Sequence, residues 1–153
     1  MKHKISKLHV PSNWKIGVVT SRFNEEVTSK LEDGAVKRLR ELGASEGQIA
    51  QVSVPGAVEI PLAAAALLKK GCDGVIALGA VIRGETSHYD YVCNSVERGC
   101  TSVALQFNKP VAFGVLTTEN DEQAMDRVGG KHGHKGREAA DVVVEMIQLL
   151  REI

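Results

Sequence analysis

Apolar and polar positions along this 153-residue chain alternate between a strand-like and a helix-like period. Lys15 to Ser21 (KIGVVTS) is an apolar run of strand length, and Asn24 then opens a helix. In that helix Val27, Leu31, Ala35, Leu39 and Leu42 recur every three to four residues, and Gly43 supplies a stop. Gln48 to Val54 reads as a second strand, turned by Pro55 and Gly56. Glu59 to Lys70 reads as an alanine-rich helix packed through Leu62, Ala66 and Leu67. Gly74 to Ala80 is a third strand, followed by a helix with Val92, Val96, Gly99 and Val103 on one face. Val111 to Leu116 is a fourth strand, and Glu122 to Arg127 a short helix. Gly129, Gly130, Gly133 and Gly136 then interrupt the chain before a last helix that runs to the C-terminus. An extended segment at Leu8 to Val10 is a candidate edge strand. No linker, repeat or low-complexity stretch breaks this order, so residues 1–153 are read as one domain.

Alternation of this kind predicts right-handed crossovers and a parallel sheet covered by helices on both faces, an α/β three-layer arrangement. Ligands of such sheets bind at the carboxyl ends of the strands. Those ends carry Arg22, Phe23 and Asn24; Pro55, Gly56, Ala57 and Glu59; Arg83 to His88; and Thr117 to Asn120. Turn-forming and polar residues are common in any loop, so this enrichment alone locates a site only weakly.

Composition narrows the field. Apolar residues make up 43% and charged residues 25%, as in ordinary globular proteins. Nineteen basic residues balance nineteen acidic ones, which argues against a general nucleic-acid-binding surface. The first nine residues carry Lys2, Lys4 and Lys7 without an apolar core segment, unlike a signal peptide. No apolar run reaches the roughly 18 residues of a membrane span. Cys72, Cys93 and Cys100 are odd in number and lack metal-ligand spacing, so they are read as reduced, semi-buried residues of a cytoplasmic protein.

Five residues or clusters carry candidate chemistry. Gly84-Glu85-Thr86 precedes a helix, whose first amides lack partners and attract anions; the turn suits a phosphate, or is a simple helix cap. His88 falls in the first turn of that helix, where positive dipole charge suits a neutral imidazole able to take up and return a proton. It is otherwise a surface histidine. Glu59 either complements its own helix or accepts hydrogen bonds from ligand hydroxyls. Phe23 and Phe113 are core residues or flat surfaces for a heterocycle. In KHGHKG (131–136), His132 and His134 have the spacing of a zinc pair but lack a third ligand, and no metal is expected. The alternative is a cationic loop meeting an anion through Arg127, Lys131, Lys135 and Arg137.

Taken together, SRFN (21–24), VPGAVEIP (54–61), LGAVIRGETSHYDYV (78–92), FGVLTTEN (113–120) and DRVGGKHGHKG (126–136) resemble the lumazine synthase family, in the right order over residues 14–150. The resemblance implies a flavodoxin-like parallel sheet and the penultimate reaction of riboflavin biosynthesis. There 5-amino-6-(D-ribitylamino)uracil condenses with 3,4-dihydroxy-2-butanone 4-phosphate to give 6,7-dimethyl-8-ribityllumazine, without metal or redox cofactor. It implies that His88 transfers protons and that Phe23 stacks on the pyrimidine. Ala57, Val58 and Glu59 would meet the ribityl chain and ring, and Ala80, Val81 and Ile82 the heterocycle. Glu85 and Thr86 would hold the phosphate. Arg127, with Lys135 as a further phosphate-side candidate, and Phe113 would reach the pocket from a neighbouring subunit. Val58 stands where a larger aromatic is common in the family, and His134 where asparagine is common. The implied assembly is a homopentamer, or a shell of sixty copies where the segment before the last helix is short, as here, with riboflavin synthase a candidate partner. The broad apolar surface of the last helix (Ala139, Val142, Val143, Met146, Ile147, Leu149, Leu150, Ile153) points independently to a partner subunit. Rival readings are a riboflavin synthase of the same fold, a non-catalytic flavin- or phosphate-binding module, and a shell protein in which assembly matters more than turnover.

Overall fold

The computed structural model describes residues 1–153. Four parallel strands form the sheet: β1 (Ile16–Ser21), β2 (Ile49–Val54), β3 (Gly74–Ile82) and β4 (Val111–Thr118), in the order β2-β1-β3-β4. Every residue of β1 is buried, as are all of β3 but Ile82, because helices cover both faces of the central pair. That is why these runs are continuously apolar rather than alternating. On one face α1 (Glu25–Glu41) and α5 (Lys135–Glu152) enclose 23 buried residues around Leu31, Leu39, Ile76 and Val143. On the other, α2 (Ile60–Lys69) and α3 (His88–Phe107) enclose 13, around Ile60, Leu68, Val75 and Val96. The three-layer α/β arrangement read from the alternation is therefore present.

Helix α1 follows its expected stripe: Val27, Leu31, Ala35, Leu39 and Leu42 are all buried. Gly43 ends it at φ +110°, a backbone conformation that side chains other than glycine rarely adopt. Helix α2 turns a different face inward than expected. Ile60, Ala64 and Leu68, spaced by four, are buried, whereas Leu62 is 78% exposed and Ala66 is also outside. Only Leu67 of the expected trio packs, partly buried, against the core. An alanine-rich helix has apolar residues on every side, so its sequence leaves the buried face ambiguous.

Leu8 to Val10 does not extend the sheet. The Val10 amide donates to the Leu42 carbonyl at 2.9 Å, so the segment lies across the end of α1 and satisfies a carbonyl that the helix leaves without a partner. Two strands run further than their apolar stretches indicated. β3 includes Val81 and Ile82, paired with Thr117 and Thr118 of β4. The short helix α4 is Asp121–Met125, which leaves Arg127 beyond it. The glycine-rich segment folds as a small antiparallel hairpin of β5 (Val128–Gly130) and β6 (Gly133–His134).

Helices α1 and α5 are tied by ion pairs at their surface, Arg38 to Asp141 at 2.6 Å and Arg137 to Glu41 at 2.8 Å. Exposed pairs of this kind contribute little, so burial must supply the stability. Leu39→Ala is expected to lower the unfolding free energy by about 2–5 kcal/mol through the cavity it leaves. Urea denaturation measures this, and a loss below about 1 kcal/mol would show that the core collapses around the gap.

Candidate active site

The order β2-β1-β3-β4 creates a switch point. After β1 the chain moves outward to β2, and after β2 it crosses back to β3, so α1 and α2 leave on opposite faces. A crevice opens between the carboxyl ends of β1 and β3, where sheets of this topology bind ligands. A cavity of about 620 Å³ occupies it.

Each wall of the cavity has a local cause. From β1, Phe23 reaches the mouth with 72% of its surface exposed, an uncovered ring in a chain with three phenylalanines. It is aimed by Asn24, which adopts a left-handed backbone conformation (φ 64°, ψ 49°) and donates its side-chain amide to the Ala80 carbonyl at 2.8 Å. Asparagine tolerates this conformation better than other non-glycine residues. From β2, Pro55 and Gly56 lead into a single helical turn, Ala57–Glu59, which places Val58 and Glu59 on the rim. Glu59 closes that turn by accepting the Gly56 amide at 2.9 Å, so its structural role is real, yet its carboxylate is exposed beside the cavity. From β3 come Ala80, Val81 and Ile82.

Beyond β3, residues 83–88 are exposed around the turn that leads into α3. The Glu85 and Thr86 amides donate to no group within the chain. Thr86 Oγ1 accepts the His88 amide at 3.3 Å, which is a helix-capping contact that leaves the hydroxyl proton free to donate outward. His88 is the first residue of α3, exposed at the cavity wall beside Tyr89 and Val92. Free amide donors, a free hydroxyl and an imidazole thus converge on one side of an apolar slot. Such a set can hold an anion and move protons next to it.

Arg83 fixes this turn from behind, a role that sequence inspection missed. Its guanidinium pairs with Glu119 at 2.7 Å and Asp90 at 3.5 Å, and lies 4.2 Å from the centre of the Tyr89 ring. The β4 end and the first turn of α3 are thereby joined. Glu119 is 36 residues away, so no local pattern signals the contact. Burial pushes the Tyr89 phenol above its usual range, and the hydrogen bond it donates to the Cys93 sulfur adds to this.

Three residues assigned by resemblance lie elsewhere in the chain. Arg127 and Lys135 line a separate cavity of about 220 Å³ with Thr117, Thr118, His132 and Glu138. Phe113, on the edge strand β4, faces a third cavity beside Cys100, Ala104 and Leu105. One chain therefore brings Phe23, Ala57, Val58, Glu59, Ala80, Val81, Ile82, Thr86 and His88 together, with Glu85 next to them, but not the remaining three.

The other chemical readings are resolved locally. His134 accepts the Arg137 amide and caps α5. No group of three histidine, cysteine or acidic side chains is placed to hold a metal ion. Burial pushes the Cys100 thiol up to about 11 and raises Cys72 and Cys93 above the ordinary thiol value, so none is a ready thiolate.

Fold and cavity together define a flavodoxin-like α/β protein with an open cavity at the switch point of its sheet. The family model described as 6,7-dimethyl-8-ribityllumazine synthase matches residues 13–151. The protein of that name from Bdellovibrio bacteriovorus is 61% identical over 139 residues, covering 91% of this chain and 76% of its own. The Coxiella burnetii protein of the same name is 54% identical over 143 residues, 93% of this chain and 95% of its own. That of Cytophaga hutchinsonii is 53% identical over 132 residues, 86% and 83% of the two chains. The chain belongs to the 6,7-dimethyl-8-ribityllumazine synthase family.

Arg83→Met is expected to loosen the turn it braces. Hydrogen exchange of the His88 and Asp90 amides, both bonded within the turn, should quicken roughly two- to fivefold, a small effect because an exposed ion pair contributes little. Unaltered exchange there, with β1 and β3 equally unaltered, would remove Arg83 as the brace.

Proposed function

We propose that this chain is a 6,7-dimethyl-8-ribityllumazine synthase, a transferase of riboflavin biosynthesis acting as one domain over residues 1–153. It condenses 5-amino-6-(D-ribitylamino)uracil with 3,4-dihydroxy-2-butanone 4-phosphate and releases phosphate and water. The observation that carries the reading is the switch-point cavity, where the exposed Phe23 ring faces an apolar slot that ends in free amides and His88. A flat heterocycle with a hydroxylated chain and a phosphate ester matches that sequence of surfaces.

The roles follow from position. Phe23 stacks on the pyrimidine, with Ala80, Val81 and Ile82 along its edge. Ala57, Val58 and Glu59 receive the ribityl chain, the Glu59 carboxylate accepting from its hydroxyls. Val58 is a small residue at that rim, which leaves the ring less enclosed than a larger side chain would. Glu85 offers its amide, and Thr86 its amide and hydroxyl, to the phosphate. The amine attacks the ketone and the adduct loses water to give an imine; phosphate then leaves, and ring closure yields the lumazine. His88 takes up and returns protons during these steps. Holding two reactive partners in contact provides the remaining acceleration. No metal or redox cofactor has a step in this chemistry.

Arg127, Lys135 and Phe113 complete the site from an adjacent copy. Support for this comes from apolar surface that one chain leaves open. The 20-residue α3 buries only Val96 and Cys100, and Tyr91 and Leu105 on it are largely exposed. On α5, Val142 and Leu150 are exposed as well, as is Ile153 just past its end. Surfaces of this extent mark contacts between subunits. A homopentamer is the minimum unit. The compact β5–β6 hairpin before α5 favours twelve pentamers arranged as a shell, with riboflavin synthase as a candidate partner. Three unpaired cysteines fit a reducing, cytoplasmic location.

The direct test supplies both substrates and follows the absorbance of the lumazine product; absence of product with folded protein sinks the reading. His88→Ala should fold normally and lower kcat by roughly 10- to 1000-fold. Arg127→Ala should weaken the butanone phosphate and inorganic phosphate by about 1.5–3 kcal/mol while sparing the pyrimidine. An unchanged kcat, or equal loss for both substrates, would remove the respective role. Light scattering should give about 80 kDa for five copies or about 1 MDa for sixty. A fully active monomer would end the shared-site proposal.

A further inference from the structure

Arg127 and Lys135 lie at the two ends of the β5–β6 hairpin, and the Lys135 amide donates to the Arg127 carbonyl at 2.8 Å. Both line one cavity, in which Glu138 is the only carboxylate. Arg127 is held on its other side by donating to the Gln123 carbonyl at 2.8 Å. Two residues between them hold the hairpin against the body of the protein: Val128, which packs on the core, and His134, which packs on α1.

His134 pairs with Val128 across the hairpin and is also the N-cap of α5. Its Nδ1 accepts the Arg137 amide at 3.3 Å, which requires that nitrogen to be without a proton. The ring lies flat against α1, so close that a Cβ on Gly34 would overlap it. Two residues further on, Gly136 packs so tightly on the Leu31 carbonyl that any side chain there would collide. The start of α5 is thus seated on α1 through two glycines and one imidazole.

We propose that His134 is a positioning residue for the phosphate-bearing substrate, holding Arg127 and Lys135 in place only while its imidazole is neutral. The proposal rests on the reading that those two cations meet a phosphate. A protonated ring would turn a donor toward the Arg137 amide, and the cap would be lost.

The surroundings set the direction of the pH effect. Burial, then the charge of Arg137, lowers His134 below the ordinary value of 6.5, while main-chain groups of His134 and Lys30 and the Glu138 carboxylate oppose this. From α1 the ring meets Gly34, with the charged side chains of Lys30 and Asp33 exposed beside it. From β5 it meets Gly129, and the hairpin's Lys131 and His132 are exposed. The folded state therefore binds fewer protons at this ring than the unfolded chain. Its contribution to stability is complete above about 6.5 and is lost as pH falls below that value.

Sulfate is a suitable probe because its charge is constant across this range, unlike that of phosphate. Calorimetry on the assembled protein would compare sulfate affinity at about pH 7.5 and pH 5.5. The wild-type chain should bind more weakly at the lower pH by about three- to thirtyfold, the equivalent of losing most of a helix cap. His134→Asn keeps a capping oxygen that does not titrate, and should bind with nearly equal affinity at both pH values. His134→Ala should bind weakly at both. Affinity that is flat with pH in the wild type, or that rises on acidification, overturns the proposal. So does a His134→Asn variant that follows the wild-type profile, or a wild type that binds no sulfate at pH 7.5. Lumazine formation by the wild type at pH 7.5 is scored separately: its absence removes the enzymatic reading, while the sulfate profile still decides His134.

Discussion

The burial of β1 and β3 on both faces is the constraint from which the site follows. Neighbouring parallel strands enclosed between α1–α5 and α2–α3 leave little room for polar side chains: the two strands have only Thr20 and Ser21, both at the carboxyl end of β1. Polar chemistry is therefore displaced to the strand ends, and the reversal of strand order between β1 and β3 keeps those ends from being roofed by one helix. Asn24 is the joint at this point. By adopting a left-handed backbone and reaching across to the Ala80 carbonyl, it ties the two central strands together at the cavity floor. The same turn directs Phe23 outward, so the constraint that stabilises the sheet also exposes the ring.

Closure is distributed differently. β4 is an edge strand, and its Phe113 faces away from the switch-point cavity. Helix α3 offers most of its apolar surface to solvent in a single chain. Open apolar surface of this extent is the kind that meets a partner, as in the proposed assembly. The candidate site and that surface share one element: α3 carries His88 at its start and open apolar surface along its length.

Much of this was legible in the sequence because period and burial coincide. The continuous apolar runs of β1 and β3, and the three-to-four spacing in α1, admit one reading each. Helix α2 was legible in position but not in orientation, since alanines on all sides erase the difference between its faces. The ends of β3 and β4 were underestimated because Val81, Ile82, Thr117 and Thr118 combine strand pairing with the turn-rich ends of their segments. Resemblance identified the strand-end residues that meet in the main cavity. It did not identify the role of Arg83, whose shorter ion pair is with the distant Glu119, nor the structural role of Asn24. Contacts formed between distant segments leave no spacing to read.

The cations and the imidazole stand in different parts of one chain, and the separation has a chemical logic. A phosphate ester must be held firmly enough to orient it but must also be able to leave. The Glu85 and Thr86 amides supply neutral dipoles beside His88, and a neutral donor set does not add positive charge to the imidazole's surroundings. Arg127 and Lys135 supply full charges from another cavity. In the proposed assembly an adjacent copy would bring these two charges to the phosphate that the neutral donors already face, so full charge would reach the site only when the subunits meet. On that reading assembly governs affinity for the phosphate, while the single chain by itself carries the apolar slot and the exposed Phe23 ring.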